Sequence, residues 1–228
     1  MTGPLPPRYS ESHSLLERLQ ASVVPVLAPG QTILDVGAGR LPTIDFAQRP
    51  PNSHYVGLDI VAEELSAAPE GAYDETYVGD IVQFDTRLAA RFDVATGCHV
   101  LEHVRSVPKA LENIRQYLDP GGHLVMLFAC TFSVHAIANR MLPEGLGARL
   151  LDRASDSKFR AVYDHCWPAA LHHSMTEWSE VTTVPLFLGA HYFARWPLPQ
   201  QAFLRYENWA QRRHRAQLAS HLLLLARR

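Results

Sequence analysis

The stretch Gln31-Thr32-Ile33-Leu34-Asp35-Val36-Gly37-Ala38-Gly39 decides the fold class of this chain. An apolar strand, Ile33 to Val36, ends in a turn bracketed by two glycines. Gly37 and Gly39 allow a sharp bend and a close approach to a ligand that a side chain would block. Working outward, a second strand, His54 to Leu58, ends in Asp59. A carboxylate there can accept hydrogen bonds from both hydroxyls of a ribose. The first half therefore reads as a nucleoside-binding α/β unit. A dinucleotide fingerprint needs a third glycine three positions after Gly39, and Pro42 stands in that place. Asp35, the acid beside the turn, would repel pyrophosphate and suits a cationic or zwitterionic ligand.

Three later landmarks follow in order: Tyr77-Val78-Gly79-Asp80-Ile81, Phe92-Asp93-Val94-Ala95-Thr96-Gly97-Cys98-His99, and Leu118-Asp119-Pro120-Gly121-Gly122-His123-Leu124. With the glycine turn and Asp59, this series resembles the class I S-adenosylmethionine-dependent methyltransferases, in their type 11-like small-molecule group. The resemblance is firm over residues 31–128 and loose beyond. It implies a Rossmann-like methyltransferase fold: α/β, doubly wound, with a mostly parallel seven-stranded sheet and a helical insertion before strand six. It also implies S-adenosyl-L-methionine as cofactor. Asp35, Gly37, Ala38 and Gly39 would then line the methionine end, and Asp59 with Ile60 the ribose. Asp80 and Ile81 would frame the adenine, while Thr96, Gly97, Cys98 and His99 would cover the sulfonium side.

Composition narrows the class. At 47% hydrophobic and 19% charged residues, with a net charge of −2, the chain reads as a soluble globular protein with no advertised polyanionic partner. The basic cluster Arg212-Arg213-His214-Arg215 reads as a solvated helix face, so nucleic acid is not expected. No apolar run approaches the roughly 20 residues of a membrane span. Three scattered cysteines, Cys98, Cys130 and Cys166, argue against a disulfide framework and suit a reducing cytoplasm. Residues 1–30 are expected to form an extended leader and a helix capped by Ser12, and residues 31–129 the cofactor-binding core. The helix before strand five, with Val107, Leu111, Ile114 and Leu118 on one face, should stop at Pro120-Gly121. Residues 130–178 show helical patterns, Phe132 to Leu142 and Leu146 to Asp152, and resemble a substrate-covering cap. Residues 179–228 should complete the sheet. Within this stretch Trp178 to Val184 reads as strand six, Pro197 to Gln217 as helix and His221 to Ala226 as a closing antiparallel strand.

Methyl transfer from a sulfonium needs the nucleophile held near the methyl and, when it carries one, its proton removed. His99-Val100-Leu101-Glu102-His103 stands where strand four gives way to the next helix, so His99 and His103 are candidate bases. Certain O-methyltransferases acting on quinone precursors and small RNA carry Glu-x-x-Glu-His here and use magnesium. His99 replaces the first acid, which removes an oxygen ligand, and no metal is expected. His165, beside Asp164 and Trp167, is a third candidate base. Tyr163, Trp167 and Tyr192 are candidates to line an apolar acceptor pocket. The expectation is transfer to a small-molecule acceptor in biosynthesis, a specialised metabolite or a glycan- or lipid-linked one, with oxygen slightly favoured. A homodimer is left open. A non-methylating cyclase or isomerase on the same fold, or a non-catalytic scaffold, are the alternatives.

Overall fold

Seven strands form one sheet in the computed structural model, which describes residues 6–10, 15–141 and 161–228. They are β1 (Thr32–Val36), β2 (His54–Asp59), β3 (Glu75–Val78), β4 (Phe92–Cys98), β5 (Leu118–Ala129), β6 (Glu180–Leu186) and β7 (His221–Arg227). Their order across the sheet is β3-β2-β1-β4-β5-β7-β6. The first five are parallel, and β7 runs antiparallel between β5 and β6. This is the doubly wound seven-stranded sheet expected from the sequence.

Parallel strands covered on both faces read as continuous apolar runs, and their side chains alternate between the two layers. Ile33, Tyr55, Val94, Val125 and Leu127 pack on one face with Leu19 and Val23 of α2 (Leu15–Val23). Leu34, Val56, Ala95, Leu124, Met126 and Phe128 pack on the other, with Leu111 and Ile114 of α4 (Val107–Tyr117). Among the described residues the remaining helices are α1 (Pro7–Ser10), α3 (Ala62–Ser66), α5 (Val134–Met141), α6 (Pro168–Ser174) and α7 (Pro197–Arg212). Because β1 to β5 are parallel, their carboxyl ends share one edge. The chain steps outward from β1 to β3 and then returns to β4, so the switch point lies between β1 and β4, where such sheets bind ligands.

Several boundaries differ from expectation. The leader is not all extended: Pro7–Ser10 is a helical turn whose Arg8 Nε donates to Phe187 O at 2.9 Å. Pro120-Gly121 does not stop α4, which ends at Tyr117 with Leu118 already extended. The two residues lie inside β5, at a register shift opposite Phe92 and Val94 that leaves Gly121 at φ +85°. β6 lies two residues later than expected; it is an edge strand, which tolerates Pro185. α7 ends at Arg212, and His214 takes a left-handed turn at φ +51° that no glycine signals. Of the segment 130–178, Cys166, Leu171, Met175 and Trp178 belong to the same core as the sheet. Ser12 and the helix expected over Leu146 to Asp152 lie outside the described residues. Among the described residues no helix is long and apolar enough to cross a membrane.

Candidate active site

The glycine turn folds across the end of β2. Gly37 N and Ala38 N both donate to Leu58 O, at 2.8 and 3.1 Å. Gly37 is exposed at φ +67°, and a Cβ there would fall 2.2 Å from Val100 Cγ2. Dihedral and neighbour both demand glycine. Asp59 stands in the gap: its Oδ2 accepts from Gly39 N at 2.9 Å and its Oδ1 from Val61 N at 2.8 Å. Each oxygen keeps a second lone pair, which is what a ribose hydroxyl would use. Tyr73 buttresses the turn from behind, its hydroxyl donating to Ala38 O at 2.7 Å. Gly57 makes room for that ring, since a Cβ there would lie 2.9 Å from it.

Asp35 has a different place from the one expected. It is fully buried, and its carboxylate accepts from Thr43 N, Thr43 Oγ1 and Tyr55 Oη, each at 2.7 Å. It ties the loop after the glycine turn to the sheet rather than facing outward. Burial pushes its pKa up to about 6, against those three hydrogen bonds and the positive charge of Arg49. Asp80 Oδ1 accepts from Val82 N at 3.0 Å, a turn-forming bond. The side chain of Ile81 turns into the main core, and its carbonyl accepts from Asn113 Nδ2 at 2.8 Å. Exposed apolar side chains at this edge include Ile60 and Val78. Thr96 and Gly97 are buried in β4, and a Cβ on Gly97 would meet Val36 O at 2.7 Å. Burial pushes the Cys98 thiol up to about 12, so it stays protonated at neutral pH.

β4 gives way to the turn Leu101–His103 through His99, at φ +57°. A non-glycine residue held there costs on the order of 1–3 kcal/mol, and such positions gather at functional sites. His99 Nδ1 lies 2.9 Å from Glu102 Oε1, which also accepts from Ala129 N at 3.1 Å. Glu102 is 3% exposed, and its Oε2 has no hydrogen-bond partner. The buried carboxylate is thus held by the end of β5 and by the imidazole. His221, opening β7, meets the His99 ring edge-on with centroids 5.4 Å apart. Burial alone would lower the His99 pKa; the Glu102 hydrogen bond and charge outweigh it, and the net shift is upward. With Nδ1–H donated to the carboxylate, Nε2 carries the lone pair, and the side chain is 42% exposed. That is the arrangement of a general base.

The other two candidate bases differ. His103 Nδ1 is buried without a partner. His165 Nδ1 lies 2.6 Å from Asp164 Oδ1, and its ring stacks on Trp167. Asp164 Oδ2 accepts from Val107 N at 3.1 Å and so caps α4 from outside the helix. Val162 N and Tyr163 N both donate to Glu102 O, at 2.7 and 2.8 Å, which straps this segment to the histidine–glutamate pair. Tyr163 is buried, and Trp167 leans on Phe132. Tyr192 sits in the Gly189–Phe193 turn after β6, its ring against His191. The three-residue spacing already put His99 and Glu102 on one face; the structure joins them by a hydrogen bond. Sequence reasoning missed Tyr73, whose signal was the mid-strand Gly57, and His221, which had none. Among the described residues no three His, Cys, Asp or Glu side chains form a metal-holding group.

Fold and site together define a class of protein that binds a nucleoside at the switch point, with a histidine–glutamate pair beside it. The family model for the methyltransferase domain matches residues 9–177, and the chain belongs to that family as a class I S-adenosylmethionine-dependent methyltransferase. It is 31% identical over 104 residues to a ubiquinone biosynthesis O-methyltransferase of Actinobacillus pleuropneumoniae, covering 42% of this chain and 44% of that protein. It is also 31% identical over 110 residues to a demethylmenaquinone methyltransferase of Symbiobacterium thermophilum, covering 44% and 43%. The matches thus span less than half the length of these curated relatives. An S-adenosylmethionine-dependent methyltransferase of Mesorhizobium loti shares the fold, with a TM-score of 0.55 at 16% identity over 94% of this chain and 98% of that one. The turn fits the cofactor: Gly37 and Gly39 hold left-handed dihedrals that keep the backbone free of side chains at the turn, and Asp59 keeps acceptor capacity beside it.

Proposed function

We propose that the protein methylates an oxygen of a small-molecule acceptor, with His99 as general base. When bound, S-adenosylmethionine supplies a methyl on a sulfonium, and its transfer to a hydroxyl oxygen leaves a neutral thioether and one proton. That proton goes to His99 Nε2, and the charge of Glu102 stabilises the imidazolium that results. In this reading Gly37, Ala38 and Gly39 hold the methionine end through backbone groups. Asp59 takes the ribose, and Ile60 and Asp80 flank the adenine. Thr96, Gly97 and Cys98 close the sulfonium side, and Asp35 acts indirectly by fixing the loop behind the turn. The segment 130–178 forms the acceptor side, with Tyr163 and Trp167 as its apolar wall, Tyr192 on the far flank and His165 as a polar contact. Residues 31–129 then bind the cofactor, and residues 179–228 complete the sheet.

The observation that carries this reading is the 2.9 Å pairing of His99 with buried Glu102 at the carboxyl end of β4. Two relatives named for methyl transfer to quinone-type compounds, one of them an O-methyltransferase, support a small, partly apolar acceptor. The test is a methyl-transfer assay over hydroxylated and amine-bearing aromatic acceptors, read by mass spectrometry. His99→Asn should keep cofactor affinity within about twofold by calorimetry while kcat falls by about 10²–10⁴. Unchanged kcat in that variant would remove His99 from the mechanism, and transfer to amines alone would remove the oxygen assignment.

A further inference from the structure

α7 turns Leu204, Glu207 and Ala210 into the protein. With 3.6 residues per turn, its opposite side carries Leu198, Ala202, Arg205, Trp209 and Arg212 in one stripe. All five are exposed, Leu198 at 84% and Trp209 at 45%, and Trp196 just before the first turn is 44% exposed. A surface helix ordinarily shows polar residues to water. Here apolar side chains and arginines share the outer face. Glu207, the one acid of the helix, lies on the buried side, where its carboxylate accepts from Gly189 N and Tyr9 Oη.

The arginines of this region are also set apart. Arg205, Arg212 and Arg213, flanked by Arg195 and Arg215, make no side-chain hydrogen bond or ion pair among the described residues. Several other arginines serve the structure: Arg49 donates to Ile44 O, and Arg91 donates to Glu75. Among the described residues of a chain of net charge −2, five arginines without side-chain partners thus gather around one helix. Exposed tryptophan and leucine among arginines, with no acid on the same face, is the chemistry of a helix lying in a lipid interface.

We propose that the outer face of α7 docks on the surface of an anionic lipid bilayer, with Trp209, Leu198 and Trp196 entering the headgroup layer and the arginines meeting lipid phosphates. The first turn of α7 is tied to the site's side of the molecule, since Gln200 Nε2 donates to Ala190 O in the turn that follows β6. The carboxyl end of β6 shares its edge with those of β5 and β4, through the pairs Leu186 with His221 and His221 with Ala129. The docking itself does not depend on which acceptor is methylated.

Sedimentation of the full chain with vesicles of phosphatidylcholine alone, or mixed with phosphatidylglycerol, tests this. Binding is expected to the anionic vesicles only, to weaken as salt screens it, and to shift tryptophan emission to the blue. Each arginine removed should lower partitioning about fivefold, the equivalent of ~1 kcal/mol per cation. The triple variant Arg205→Gln, Arg212→Gln, Arg213→Gln should therefore lose about a hundredfold, and the double variant Trp196→Ser, Trp209→Ser should abolish the emission shift. Circular dichroism and cofactor calorimetry should be unchanged in both, because these residues lie outside the cofactor site. No binding to anionic vesicles at low salt, or equal binding to neutral ones, overturns the proposal. So does a dimer that the triple variant breaks, which would make this face a protein contact.

Discussion

A carboxylate buried to 3% exposure needs a partner, and Glu102 finds one in an imidazole that also faces solvent. That pairing sets the expected pH behaviour. As the proposed base His99 works only when neutral, and Glu102 raises its pKa above the ordinary 6.5, so kcat should climb with pH through a limb above that value. Glu102→Gln removes the charge and should move the limb to lower pH while cofactor affinity holds; an unmoved limb in the pH–kcat profile would assign it to another group. Gly37→Ala places a side chain at φ +67° and 2.2 Å from Val100. It should cost more than ~1 kcal/mol in denaturant titrations and weaken cofactor binding, with partial rescue by adding Val100→Ala. Gly37 and Asp59 were legible in the sequence because turn and strand end are local patterns. The outward role expected of Asp35 was not met, because its partner Tyr55 comes from the neighbouring strand. The approach of His221 to His99 likewise depends on register across β5 and β7, which no local spacing encodes.

Elements show the same division between local and distant causes. The strands of the first half were readable because both their faces are buried and their apolar runs are continuous. The end of α4 was not. Proline and glycine read as a stop signal, yet β5 takes over at Leu118 and absorbs both residues where its pairing with β4 slips. The start of α4 is also fixed from a distance, by Asp164 rather than by a neighbour in sequence. Asp164→Ala should therefore cost about 1 kcal/mol, a fall in Tm of about 2–4 °C in thermal melts. Asp164→Asn, which can still accept from Val107 N, should recover most of it.

For the whole molecule, buried Asp35 makes stability depend on pH. Folded, it keeps its proton up to about pH 6, whereas the unfolded carboxyl releases it near 3.8. Between those values the native state binds the extra proton, so this group's contribution to stability falls as pH rises through that window and is level above it. The shift of about two units corresponds to about 3 kcal/mol. Denaturant midpoints taken from pH 4 to pH 6 should thus decline more steeply in the parent than in Asp35→Asn; parallel curves would show that the carboxyl titrates near its ordinary value. His99 acts in a later window. Its raised pKa contributes stability that is complete below 6.5 and fades as pH rises through the folded value.

β7 lies between β5 and β6, so β6 has no neighbour in the sheet until residues 221–227 arrive. During synthesis the five parallel strands are made first, while β6 and α7 wait for a strand made after them, which also adds Leu222, Leu223 and Leu224 to the core. His221 comes with that strand, and with it the edge-on contact against the base. Assembly and competence therefore share a clock: the cofactor half can mature early, but the environment of His99 is complete only when the last strand slots in. A chain released short of residue 221 would keep the glycine turn and still lack the contact that completes the surroundings of His99.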